Sequence, residues 1–159
     1  MSDTLPPSAR KVQEALRQAG YDGEVLLVPA STRTVVEAAN VVGCQVAQIV
    51  KSLVFRAVES DRPILVIASG ANRVNEGAIG ALIGEPLGKA NAEFVRRHTG
   101  YAIGGVPPVG HDSTIETFVD EDLLRYAEVW AAAGTPNSLF RVAPADLVQL
   151  TGGKVVHIK

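Results

Sequence analysis

Apolar residues first recur at helical spacing within residues 8–19, where Ala9, Val12, Leu16 and Ala19 share one face. Gly20 follows as a C-terminal stop. Residues 24–28 then form a short apolar run that predicts a buried strand. A second helix is predicted over residues 34–42. Thr34 and Glu37 stand at capping-box spacing, each able to bond an orphan N–H of the first turn, and Gly43 ends it.

Beyond Gly43 the pattern changes period. Residues 50–57 (VKSLVFRA) and 64–69 (ILVIAS) are rich in β-branched and aliphatic side chains and predict two strands. The polar link at 59–62 is short enough to predict an antiparallel hairpin. Residues 75–82 and 91–99 predict two helices, each opened by an asparagine that can cap it and closed by Gly84 or Gly100. A strand is expected at 114–119, with a helical turn at 121–126. Residues 128–132 and 139–142 flank a Gly-Thr-Pro-Asn turn and predict a second hairpin. A last helix at 144–150 starts on Pro144, and residues 155–158 add a final strand. Hairpins with irregularly interspersed helices point to an α/β chain of mixed α+β type with a mixed, mostly antiparallel sheet. A doubly wound parallel fold is disfavoured.

Composition narrows the chemistry. The 159 residues are 47% hydrophobic and 20% charged, which supplies one domain with a core. No apolar run reaches the roughly 18 residues of a membrane helix. The N-terminus lacks the basic and apolar regions of a secretion leader, so a cytoplasmic protein without a membrane partner is expected. Cys44 is the only cysteine and follows an apolar helix end, where a buried, inert thiol is the simple reading. His98, His111 and His157 form no pair at metal-ligand spacing, so no metal and no cofactor is expected. His98 falls in a last helical turn that favours a cation, and His157 reads as a surface residue. Nucleotide-loop and nucleophile-elbow patterns are absent.

Three features admit a functional reading beside the structural one. Lys51 shares a strand face with Leu53 and Phe55, opposite Ser52, Val54 and Arg56. It either snorkels at the strand end or offers a fixed positive charge to a cleft. The run GYAIGGVPPVG at 100–110 is longer than a turn requires, and its glycines can bring backbone N–H groups close to a ligand. The run AAAGTPNS at 131–138 suits a hairpin turn and also a pocket wall. Arg33, Lys51, Arg56, Arg73, Lys89, Arg96 and Arg97 can form a phosphate-binding rim, although a net charge of -2 gives little general attraction for nucleic acid.

In this order the motifs resemble the YbaK/prolyl-tRNA-synthetase-associated editing domains. They are TVVEAA at 34–39, IVKSLVFR at 49–56 and TGYAIGGVPPVG at 99–110, followed by FVD at 118–120, Ala133-Gly134 and ADLVQLT at 145–151. The resemblance runs from about residue 24 to the end. It implies a barrel-like sheet with surrounding helices and hydrolysis of the ester joining a wrong amino acid to tRNA, typically tRNA for proline. It also implies a free-standing protein that acts after prolyl-tRNA synthetase has released its error, with the synthetase as a second partner. On the matching positions, Lys51 is the functional lysine, and Gly104, Gly105 and Pro108 belong to the glycine-proline loop. Lys51, Gly104 and Gly105 are thus the expected catalytic set, with Thr32, Gly70, Val106, Pro107, Pro108 and Gly134 expected around the substrate. The substrate itself supplies an activated ester and a vicinal ribose hydroxyl, so the protein's task is orientation and charge stabilisation. This chain has Val28, Pro29 and Ala30 where many relatives have a histidine, Ala132 and Ala133 where some have serine, and Pro107 where several have serine. A thiol-assisted route is therefore not implied, and a small aliphatic residue such as alanine or 2-aminobutyrate is as good a target as cysteine. The alternative reading is a noncatalytic adaptor of the same fold that binds tRNA or a synthetase. A third is an enzyme acting on a small ester or amide with no RNA partner.

Overall fold

The computed structural model describes residues 5–29 and 31–159. Met1 to Thr4, where the leader reading begins, and Ala30, one of the departures from the family, lie outside the described residues.

Helix α1 (Pro7–Gln18) buries Ala9, Val12 and Leu16 as its periodicity predicts, whereas Ala19 caps the helix and is exposed. Gln13 is buried beside them. Its side chain accepts from Val25 N–H at 2.9 Å and donates to Gly23 O at 3.1 Å, which fixes the entry of β1 (Val25–Leu27). Helix α2 (Val35–Val42) carries the expected capping box at Thr34 and Glu37, and Gly43 closes it in the left-handed conformation. After a 3-10 turn at Val46–Gln48, β2 (Ile49–Ala57) and β3 (Pro63–Ser69) form the expected hairpin. Asn75 and Asn91 cap α3 (Glu76–Ile83) and α4 (Ala92–Thr99). Between these helices lies a strand the pattern does not reveal, β4 (Leu87–Lys89). β5 (Glu116–Asp120) and a 3-10 turn (Glu121–Arg125) follow. The hairpin of β6 (Val129–Ala132) and β7 (Ser138–Val142), α5 (Pro144–Thr151) and β8 (Lys154–Val156) complete the order.

All eight strands join one mixed sheet, in the order β1-β7-β6-β2-β3-β5-β8, with β4 also on β2. Four pairings are antiparallel and three, β2 with β6, β3 with β5 and β5 with β8, are parallel. The sheet is therefore mixed and mostly antiparallel, as expected, but its strand path is open, with no pairing of β1 to β8 to close a barrel. Strand β3 is central and buried on both faces, which accounts for its unbroken apolar run. Leu65 and Ile67 pack in one core with Val12, Leu16, Phe140 and Leu147. Ile64, Val66 and Ala68 pack in the other with Ile79, Phe118 and Ile158.

One irregularity places the site. β3 pairs with one edge of β2 from Val50 to Arg56. The opposite edge is shared between β6, at Ile49 and Val50, and β4, at Phe55 to Ala57. Among the described residues, no strand lies beside 51–54 on that edge.

Candidate active site

A strand's peptide groups alternate between its two edges. On the β3 side, Gly70 N–H donates to Ile49 O at 2.7 Å and Ala57 N–H to Arg62 O at 2.9 Å; on the β4 side, Val58 N–H donates to Pro86 O at 2.9 Å. Even-numbered positions of β2 thus turn their peptide groups toward the shared edge, and at Ser52 and Val54 that edge is open. A cavity of about 460 Å³ lies against this gap. β2 forms its floor from Ile49 to Val54, the start of α2 one wall, and Gly104 and Val106 another, with Ala132 and Leu139 beyond. Side chains from both faces of β2 reach it, because a strand without a neighbour does not separate its faces.

Lys51 lines the cavity half-buried, and its Nζ donates to Asn72 O at 2.5 Å. Burial pushes its pKa below the ordinary lysine value; Asp120 opposes this and Arg73 reinforces it. Its ammonium is tied to a main-chain carbonyl of the turn after β3. Thr32 also lines the cavity, and both its N–H and its Oγ1 donate to Pro136 O, at 2.7 and 2.8 Å, tying this wall to the β6–β7 turn. Gly104 reaches the cavity with φ at +97°, and the place its Cβ would occupy is 3.5 Å from Arg33 Cγ. Among the described residues, the N–H groups of Gly104 and Val106 have no protein acceptor.

The remaining expected site residues stand behind the cavity wall. Gly105 N–H donates to Ala102 O at 3.1 Å and Gly105 O accepts from Gly134 N–H at 3.0 Å, so both of its peptide groups are engaged within the protein. Gly70 packs so closely on the start of β2 that a Cβ would lie 2.4 Å from Val46 O. Pro107 and Pro108 are buried. His111 Nε2–H donates to Pro107 O at 2.7 Å and Tyr101 O–H to Gly110 O at 2.9 Å, which brace the loop from beneath. Burial lowers the His111 pKa and pushes that of Tyr101 up to about 12, so both are neutral donors at pH 7.

One cavity residue escapes the sequence pattern. Ser52 has a buried Oγ with no hydrogen-bond partner among the described residues. The alternation of β2 places Ser52 opposite Lys51, and only the missing neighbour strand brings both to one space. Arg33, expected on a phosphate-binding rim, lines the same cavity.

Beside this cavity lies a second, of about 420 Å³, lined by Arg56, Lys89 and Arg97 together with Asp61 and Glu93. Ala90 lines the first cavity and its neighbours Lys89 and Asn91 the second, so the two adjoin. Arg56 pairs with Asp61 at 3.2 Å, whereas Lys89 and Arg97 pair with no carboxylate among the described residues. Cys44 is half-buried, its thiol pKa raised by burial, and far from a nucleophile's needs. His98 stacks against Phe94 at 4.4 Å, and the exposed His157 contacts Glu121 at 2.6 Å. No three His, Cys, Asp or Glu side chains among the described residues are grouped to hold a metal ion, and no described helix is long and apolar enough to cross a membrane.

Comparison with known proteins agrees with this architecture. The family model of the aminoacyl-tRNA editing domain matches residues 29–150. The uncharacterized protein YwhH of Bacillus subtilis is 30% identical over 148 residues, covering 93% of this chain and 94% of its own. The proline–tRNA ligase of Limosilactobacillus fermentum is 30% identical over 112 residues, which is 67% of this chain but 20% of the ligase. Among solved structures, a proposed trans-editing enzyme for prolyl tRNA synthetase superposes with a TM-score of 0.93 at 52% identity, covering 98% of this chain and 99% of the other. The chain belongs to the aminoacyl-tRNA editing domain family.

Proposed function

We propose that the chain is a trans-acting deacylase for mischarged tRNA, with tRNA for proline carrying a small noncognate amino acid as its substrate. One observation carries this reading: a single cavity joins Lys51, the Gly104 turn and an apolar recess formed by Val50, Val54, Val95, Ala132 and Leu139. The ester of the terminal ribose enters over the open edge of β2, and the amino-acid side chain fills the recess. Water adds to the ester carbonyl carbon, and the negative charge that develops on the carbonyl oxygen is met by the Gly104 N–H and the Lys51 ammonium. Collapse of the tetrahedral intermediate breaks the bond to the ribose oxygen, which takes the proton released by the attacking water, relayed through the vicinal hydroxyl. The amino acid and intact tRNA are the products. Gly105, Gly134, Pro107, Pro108 and Gly70 hold the walls that fix this geometry.

Deacylation of tRNA for proline charged in turn with Ala, Cys, Ser, Thr and Pro tests the reading. Loss of the alanyl and cysteinyl esters with the prolyl ester spared is the expected result. No ester loss above the buffer rate sinks it, and retention of the charged tRNA without turnover identifies an adaptor instead.

The adjoining basic cavity takes phosphates of the same RNA. Lys89 and Arg97 are the cations there without a carboxylate partner, and each phosphate they neutralise releases counterions. Replacing both by glutamate is expected to raise KM for charged tRNA about tenfold or more, with kcat within about twofold of the parent. The slope of log KM against log salt should become shallower by about one for each phosphate no longer neutralised. An unchanged slope means the RNA lies elsewhere.

A further inference from the structure

Around the turn after β3 lies a cluster of polar side chains joined by hydrogen bonds, none of which lines the cavity. Asp120 ends β5 and is 1% exposed. Its Oδ2 accepts from Ser69 N–H at 3.0 Å and from Asn72 Nδ2 at 2.8 Å, and its Oδ1 accepts from Asp122 N–H at 2.9 Å. The Asn72 amide also donates to Asp122 Oδ2 at 2.8 Å, and Lys159 Nζ approaches the same oxygen at 3.0 Å. Asn72 is thus held by its side chain on two carboxylates while its main-chain carbonyl accepts from Lys51 Nζ. Such an arrangement is hard to assemble, because a buried carboxylate must find several donors to offset its lost hydration.

We infer that Asp120 and Asn72 are positioning residues for Lys51: the Asp120–Asn72 bond fixes the turn whose carbonyl anchors the ammonium, and the Asp120 charge balances it. The clamp rests on the role given to Lys51 above. The charged groups that act on Lys51 are Asp120 from β5, which favours the ammonium, and Arg73 from the turn after β3, which disfavours it. The ammonium is held by a carbonyl, on a residue that lines the cavity, and no carboxylate among the described residues contacts it directly. That leaves its charge available to a developing oxyanion.

The test follows the Lys51 side chain itself in the ligand-free protein, by NMR of 13Cε-labelled lysine, alongside the pH dependence of deacylation. Asp120→Asn is expected to move the Lys51 titration to lower pH by about one unit, since burial and Arg73 then act unopposed. The alkaline edge of kcat should move with it. Asn72→Ala keeps the bonds of Asp120 to Ser69 and Asp122. It is expected to mobilise the Lys51 Cε and to lower kcat about tenfold at unchanged KM. A Lys51 titration at the parent pH in Asp120→Asn overturns the charge role. Parent-like Cε order and kcat in Asn72→Ala overturn the anchoring role. Should Asp120→Asn fail to fold, Asn72→Ala still decides the anchoring role, on which the positioning of Lys51 stands, because Asn72 is only partly buried. The NMR readouts need no turnover, so a parent without deacylase activity refutes the proposed function while the clamp is still judged.

Discussion

Replacing Lys51 with alanine is expected to lower kcat for deacylation by about a hundredfold to a thousandfold, the loss seen when one preorganised charge or donor is removed from a developing oxyanion. The same substitution should leave the fold in place. Lys51 contributes one hydrogen bond, to Asn72 O, and a net stabilisation of about 1 kcal/mol is typical for such a bond. Removing a half-buried cation also removes its desolvation cost, which acts in the opposite direction. Lys51→Met separates stem from charge: it keeps an apolar stem of similar length and should lose as much kcat as alanine. Lys51→Arg keeps the charge, but a planar guanidinium cannot occupy the same place between the Asn72 carbonyl and the cavity. It should recover only part of the rate. Burial lowers the Lys51 pKa, so the parent activity should fall on the alkaline side at a pH below that of a solvent-exposed lysine. Parent-rate hydrolysis by the alanine variant refutes the proposed chemistry outright.

Local signals in the sequence match the local structure closely. The Thr34–Glu37 box, the asparagine caps at 75 and 91 and the glycine stops at 43, 84 and 100 all depend on a few neighbouring residues, and all are formed. Both hairpins are legible because their turns are short. The parallel pairings are not, since Ile64 meets Glu116 and Phe118 meets Lys154 across long stretches of intervening chain. No turn chemistry encodes such register; it is set by which apolar faces bury one another. β4 escapes notice because three residues containing a glycine carry no detectable period.

The site divides the same way. Lys51 stands out as a cation among apolar neighbours on one strand face, and the structure places it on the cavity. What sequence does not show is that β2 lacks a neighbour at 51–54, which brings Ser52 into the same space. The clamp of Asn72 and Asp120 is equally hidden, because its members come from separate elements and bond through a main-chain carbonyl. The glycines are unusual, as their clustering suggests, yet the reason at 105 and 134 is the close approach of protein backbone. Gly105 and Gly134 touch each other through a peptide hydrogen bond, and neither lines the cavity.

Gly134→Ala is therefore expected to be strongly destabilising. Gly134 has φ at +99°, where an L-residue is strained by about 1–2 kcal/mol. Its Cβ would lie 2.7 Å from Ser8 O and 2.9 Å from Ser8 C, backbone atoms of the first turn of α1, and 3.2 Å from Tyr101 Cε1. Backbone cannot rotate aside as a side chain can, so α1 or the β6–β7 turn must shift, an overpacking cost of about 1–3 kcal/mol. The two together predict a loss of about 3 kcal/mol, or roughly 10 °C in Tm for a chain of this size. Gly84→Ala supplies the control, because Gly84 has φ at +81° with nothing within 4 Å of the added atom. It should show the dihedral cost alone, and an equal fall in Tm for both variants would show that the Ser8 contact is not there. Activity should suffer beyond stability in Gly134→Ala. The shifted turn pulls on Gly105 O, and Gly104, the next residue, carries the N–H assigned to the oxyanion. Assayed well below its Tm, Gly134→Ala should retain less than about a tenth of the parent kcat, whereas Gly84→Ala, on the far end of α3, should retain all of it.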